Sequence, residues 1–295
     1  MSEAVLPLAA SGSLSGLSTR RRVKDRAFAL FLVLCGVLAM LPLAFIAGYV
    51  LAKGASALNL DFFTKEPVVP GEPGGGIVQS FIGTGLIVGM ATLFAVPLGV
   101  LGGVYLAEYG RGRVASAVRF VAEILLSTPS IVAGAFIWAV VVVTLGSFSA
   151  LAGSLALMVL MWPIIARATQ DILRLVPEEL REGALALGVP RWKVILRVVI
   201  PTAGAGIFTA IMLAVARGLG ETAPILLTAL GNDFINVHPL QPTDAVPLRV
   251  YNYARTPVLS LHAIGWGGAL MLLVGVLFLS ITARLLSNRQ QRRTR

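Results

Sequence analysis

Apolar residues gather along this chain in long unbroken runs separated by short polar segments, with no alternation at every second position. The runs cover residues 27–52, 77–107, 119–145, 148–166, 203–231 and 260–287. Each holds about 20 residues or more, enough for a helix rising 1.5 Å per residue to cross a hydrocarbon core of roughly 30 Å. Unpaired backbone amides and carbonyls are costly in lipid, so such runs predict helices, and the missing alternation argues against an outer-membrane barrel. The expected fold class is an all-α integral membrane protein with six transmembrane helices. Composition agrees: 57% of residues are hydrophobic and 13% charged, against about 25% charged in an ordinary soluble domain.

Charge then orients the spans. The net charge of +10 sits between the apolar runs, without the interleaved aromatics of a nucleic-acid surface, so no nucleic-acid partner is expected. Assigned to alternate connections, 19 Lys and Arg fall on one side and 4 on the other (Lys53, Lys65, Arg249, Arg255), with Arg217 inside the fifth run. The positive-inside rule places both termini in the cytoplasm. Residues 1–26 form a basic cytoplasmic segment, 27–287 the six-helix domain and 288–295 a basic tail. The first run is too long for a signal-peptide core and is read as a retained helix. Cys35 lies within it and acts as a small apolar residue. Outside segments rich in Pro and Gly, from Pro67 to Gly76 and from Pro239 to Pro257, predict loops with short helices. The third and fourth runs are separated only by a few residues including Gly146 and Ser147, which makes them antiparallel neighbours.

The cytoplasmic connection of about 167–201 contains VPEELREGALALGVPRWKVILRVVIP. Pro177 opens a helix, Glu178 and Glu179 suit its positive end, and Leu180, Ala184 and Leu187 recur at helical spacing before Gly188 and Pro190 stop it. On periodicity alone this is either an interfacial amphipathic helix or a docking helix. Its residues resemble the EAA loop of ABC importer permeases: Glu182, Gly183 and Ala184, then Gly188, then Val198, Ile200 and Pro201 at the family spacing. Gly183, Val198 and Ile200 depart from the family pattern by small changes. The resemblance implies the type I ABC importer permease (MetI-like) fold, with a coupling helix that docks in an ATPase subunit. The segments GGGIVQSFIGTGLIV, PLGVLGGVYLAEYG, STPSIVAG, ARGLGETAPILLTA and PLRVYNYARTP further resemble the PstA-type permeases of phosphate importers. That family implies a bacterial inner-membrane heterodimer with a PstC-like second permease, two copies of a PstB-like ATPase, a periplasmic PstS-like phosphate-binding protein, and inorganic phosphate as substrate.

Within the fifth run, Arg217 and Glu221 stand one turn apart in otherwise apolar surroundings. Intramembrane charges cost roughly 2.5–3.5 kcal/mol each on insertion scales and should face a bundle interior or an aqueous path. They read either as a self-neutralising bridge or as a substrate site, with Arg217 offering its fork to phosphate and Glu221 limiting how tightly the anion is held. Functional charges on this helix in the resembled family favour the second. Gly220 and Pro224 can open the same helix locally. In the third run Ser127, Thr128, Pro129 and Ser130 form a polar patch with a kink; the hydroxyls either line the path or bond their own backbone. Gly85 with Gly89, and Gly99 with Gly103, permit close helix packing. No GxxxxGK[ST] loop occurs, so ATP and Mg²⁺ are expected on a partner ATPase, with no cofactor on this chain and no enzymatic activity of its own. His238 and His262 are isolated, so no metal site is expected. A PstC-type partner subunit, or a permease for sulfate, molybdate or another solute, is the rival within the class. A secondary transporter is the rival outside it, but no internal repeat is apparent.

Overall fold

The computed structural model describes residues 19–69 and 74–293, with the side chains of 24–69 and 74–285. Residues 1–18 of the basic N-terminal segment, 70–73 of the first outer loop (Pro70, Gly71 and Pro73 among them), and 294–295 of the tail lie outside it. Among the described residues every regular element is helical, apart from one isolated bridge between Leu230 and Thr243. Helix α1 (Thr19–Gly54) carries the first apolar run, and the chain divides within it into two compact units, Met1–Tyr49 and Val50–Arg295. In the first unit Phe28, Phe31, Leu38 and Phe45 are exposed, as a helix bathed in lipid requires.

The second unit contains α2 (Leu60–Thr64), α3 (Val78–Tyr109), α4 (Arg113–Ser127), α5 (Ser130–Leu145), α6 (Ala150–Arg174), α7 (Glu178–Ala186), α8 (Arg191–Gly220), α9 (Ala223–Thr228), α10 (Val246–Arg255) and α11 (Leu259–Arg293). Among the described residues five helices are long and apolar enough to cross a membrane, and there are six spans if α4 and α5 count as one. The third apolar run is therefore not one continuous helix: α4 and α5 meet at 110°. Pro129 removes the amide that would bond Leu125, its ring would clash with that carbonyl, and Thr128 before it takes an extended conformation (φ −74°, ψ 132°).

The fifth run is displaced too. Its helix begins at Arg191, twelve residues before the expected 203, and stops at Gly220. Pro201 is tolerated because the preceding turn, Ile195–Val199, is already widened to π-helix. Pro224 has no amide to bond the carbonyl of Gly220, so the continuous ladder ends there, and α9 restarts at Ala223 with Pro224 in its first turn, where no amide partner is needed. The fourth helix runs on to Arg174, past the expected 166. The Pro-rich outer segment is partly helical, as α10, with Pro247 in the first turn where no amide partner is needed.

The core lies where α3, α6, α8, α9 and α10 meet, around Ile87, Leu157, Met161, Ile165, Ile225 and Leu248. Close approach of α3 to α6 needs the glycines at 99 and 103. A Cβ on Gly103 would stand 2.5 Å from that of Thr169, and one on Gly99 2.7 Å from that of Ile165. Gly85 and Gly89, by contrast, face open space.

Candidate functional site

At one end of the bundle α7 forms a knob between α6 and α8. Pro177 precedes it as N-cap, Glu178 and Glu179 occupy its positive first turn, and Gly188 leaves it at φ +75°, a conformation glycine adopts without steric cost. Glu182, Gly183 and Gly188 are exposed, while Ala184 turns inward. Ala184, Val198 and Ile200 join Leu173, Val176, Val194 and Val199 in one apolar cluster, so the two ends of the motif converge although Pro201 itself is exposed. Outward, Leu180 and Leu185 are each 45% exposed and Leu187 84%. α7 thus keeps exposed leucines beside its packed side.

The two interrupted spans are brought together. α9, which follows the break of the fifth, packs on α5, which follows the break of the third. Gly134 makes this possible: a Cβ there would lie 2.6 Å from Cα of Pro224. Arg217 and Glu221 occupy the last turn and the C-cap of α8 instead of the middle of a span. The guanidinium suits the negative end of the helix dipole. Its Nε stands 3.4 Å from Glu221 Oε1, with the Arg217 side chain 60% exposed and that of Glu221 16%. Ser127 donates to the carbonyls of Glu123 and Ile124, and Thr128 to that of Ile124 at 2.7 Å. Those hydroxyls bond their own helix, and Ser130, half-buried, opens α5.

A buried ionic cluster at the α10 end escapes sequence reasoning. Arg249 Nε donates to Asp244 Oδ2 at 2.7 Å, Nη1 to Asp233 Oδ1 at 2.6 Å and Nη2 to the Asn232 carbonyl at 2.9 Å. Ser80 and Gln79 of α3 donate to the same oxygen of Asp244, and Thr84 accepts from the Val246 amide at 2.8 Å. Burial pushes the Asp244 carboxyl above its ordinary value against the pull of Arg249 and Ser80. Burial also works against the charge of Arg249, but Asp244 and Asp233 together hold its pKa above the ordinary value. The cluster fastens α10 to α3. Nearby, Ser149, Ala150 and Leu151 at the start of α6 donate to the carbonyls of Thr228, Gln241 and Pro239, which satisfies amides a helix start leaves open. Among the described residues no group of three or more His, Cys, Asp or Glu is placed to hold a metal.

Known proteins share this architecture. Residues 99–292 match the family described as binding-protein-dependent transport system inner membrane component. The phosphate transport system permease protein PstA of Xylella fastidiosa is 44% identical over 238 residues, covering 80% of this chain and 83% of the relative. That of Haemophilus influenzae is 42% identical over 250 residues, covering 84% and 88%. PstA 1 of Mycobacterium tuberculosis is 38% identical over 284 residues, covering 95% and 92%. Among solved structures, a chain of the MetNI methionine ABC transporter in an inward-facing conformation is similar at TM-score 0.62 and 19% identity, covering 72% of this chain and 95% of that one. A chain of a bacterial ABC transporter that imports the acidic polysaccharide alginate gives 0.58 and 14%, covering 92% and 98%. At such identities these two speak for the fold alone. The family match over most of the chain and the PstA relatives agree, and this protein belongs to the inner-membrane permeases of binding-protein-dependent transporters and, within them, to the PstA family.

Proposed function

We propose that this chain forms one half of the translocation path for inorganic phosphate in an ATP-driven importer, with its termini in the cytoplasm. The observation that carries the reading is Arg217. It is a largely uncovered guanidinium at the end of a broken intramembrane helix, next to a single carboxylate, and the short helix α9 beyond that break packs on α5 of the other interrupted span. Phosphate carries between one and two negative charges near neutral pH, and apolar walls strengthen each Coulomb interaction it makes. Arg217 lowers the barrier for that anion. Glu221 keeps the site from holding it too long, since conduction requires release. The hydroxyls of Ser127, Thr128 and Ser130 border the same path.

The chain supplies no ATP site, so hydrolysis falls to two copies of a PstB-like subunit that bind ATP and Mg²⁺. The exposed leucines of α7, with Glu182, Gly183 and Gly188 beside them, dock in that subunit; Ala184, Val198, Ile200 and Pro201 carry its movement into α8. A PstC-like permease completes the path, and a periplasmic PstS-like protein delivers phosphate. The distribution of 19 basic residues against 4 supports this orientation. Uptake of labelled phosphate by cells carrying the assembled system tests the reading. Excess unlabelled phosphate should abolish the signal while sulfate and molybdate leave it intact; competition by sulfate or molybdate instead would replace phosphate as the substrate.

A further inference from the structure

α7 is joined through the chain to α6 on one side and to α8 on the other, so displacement of α7 reaches those two spans through backbone turns. α3 has no such link, yet its end is fastened to α7 by a buried ion pair. Glu108 lies in the π-helical last turn of α3, Tyr105–Tyr109, with its side chain only 4% exposed and Oε1 3.2 Å from Arg181 Nη1. Arg181, 15% exposed, also donates to the Leu173 carbonyl of α6 at 2.6 Å and reaches Glu178 Oε2 at 3.6 Å. Arg191, the first residue of α8, donates to the Glu108 carbonyl and places its guanidinium 5.2 Å from the Tyr109 ring centre. One residue of α3 therefore meets α7 through its carboxylate and α8 through its carbonyl. A cleft of about 240 Å³ opens on this junction, lined by Glu108, Arg111, Arg181, Arg191 and Ile195 at the start of the π turn of α8. π turns recur at functional sites, and here one lies on each side of the junction.

Replacing a buried pair by apolar residues is often neutral or stabilising, so stability gives little reason for charge at this position. A charge-assisted contact between two helices does fix their register. We infer that Glu108 is a positioning residue of the coupling step: its pair with Arg181 carries displacement of α7 into α3. α3 and α6, packed together through Gly99 and Gly103, then move with α8 as one body. This role rests on the importer reading above and adds a route that the backbone does not supply.

Two measurements on the assembled complex test it. The first needs no transported substrate: in a Cys35→Ser chain carrying Arg111→Cys two residues past the end of α3, the rate of thiol labelling is compared in nucleotide-free and ATP–vanadate-trapped complexes. Trapping should change the rate, and adding Glu108→Gln should remove the change. The same trapping response with and without Glu108→Gln, or no response in the parent, overturns the proposal. The second is phosphate imported per ATP hydrolysed, which should fall about tenfold in Glu108→Gln, within the range of coupling changes made along such networks, and recover in Glu108→Arg with Arg181→Glu. An assembled double variant that stays as uncoupled as the single one also overturns it. If Glu108→Gln does not assemble, Arg181→Lys takes its place; it keeps the charge and loses the fork, and unchanged labelling response and coupling there count against the role. A parent complex that responds to trapping but imports no phosphate removes the substrate reading alone.

Discussion

Arg249 and Arg217 are guanidinium groups on helices of one chain, each with an acidic residue a few positions away, and they are held in opposite ways. Arg249 is 8% exposed, and every arm of its fork is occupied by Asp244, Asp233 or the Asn232 carbonyl. The Tyr253 ring centre lies 5.3 Å from the same guanidinium. Arg217 is 60% exposed and, among the described residues, makes one long contact with Glu221. The same side chain therefore serves two ends. With its donors spent it is a fastener; with its donors open, at a broken helix end, it can meet a passing anion.

The largest effect expected is on the fastener. Arg249→Met leaves Asp244 buried without its cation, a loss of the kind that costs about 3–5 kcal/mol. Membrane abundance and the melting temperature in detergent should both fall sharply. Adding Asp244→Asn removes the stranded charge and should recover part of the loss, because what destabilises is the unpaired ion more than the missing contact. If Arg249→Met left abundance and melting unchanged, the two arginines would not differ in kind.

A much smaller effect sharpens the comparison from the other side. Thr128 spends its hydroxyl on the Ile124 carbonyl at the turn into α5, and Pro129 already breaks the helix there. Thr128→Ala should change phosphate uptake by less than about twofold at normal protein level, the scale of a local side-chain-to-backbone bond. A larger loss of uptake would make that hydroxyl a direct contact of the anion.

The difference between the two arginines also marks what sequence reasoning reached. α7 was legible because its start and stop are written locally, in Pro177, the two glutamates, Gly188 and Pro190. The pairing of Arg217 with Glu221 was legible from spacing, but the place of the pair was not. Gly220 and Pro224 end the helix outright, so the two residues stand at a helix terminus and not in mid-span. Polar residues around Pro129 announced a bend, though local signals do not carry its 110°. The Arg249 cluster was not legible. Its key acceptor, Asp244, is met by Ser80 across 164 positions of sequence, and Arg249 read only as one of four basic residues on the outer side. Glu108 and Arg181 escaped for the same reason, since each looks like an ordinary surface charge until α3 and α7 are placed together.

The most direct test of the central claim, that Arg217 serves the anion and not the fold, is the cycle of four chains: parent, Arg217→Gln, Glu221→Gln and the double variant. Phosphate uptake and membrane abundance are measured for each. Arg217→Gln should nearly eliminate uptake at normal abundance, and the double variant should not restore it, because the missing cation is what the anion needed. If the double variant recovers transport, the pair is a self-neutralising structural bridge and Arg217 has no part in the path.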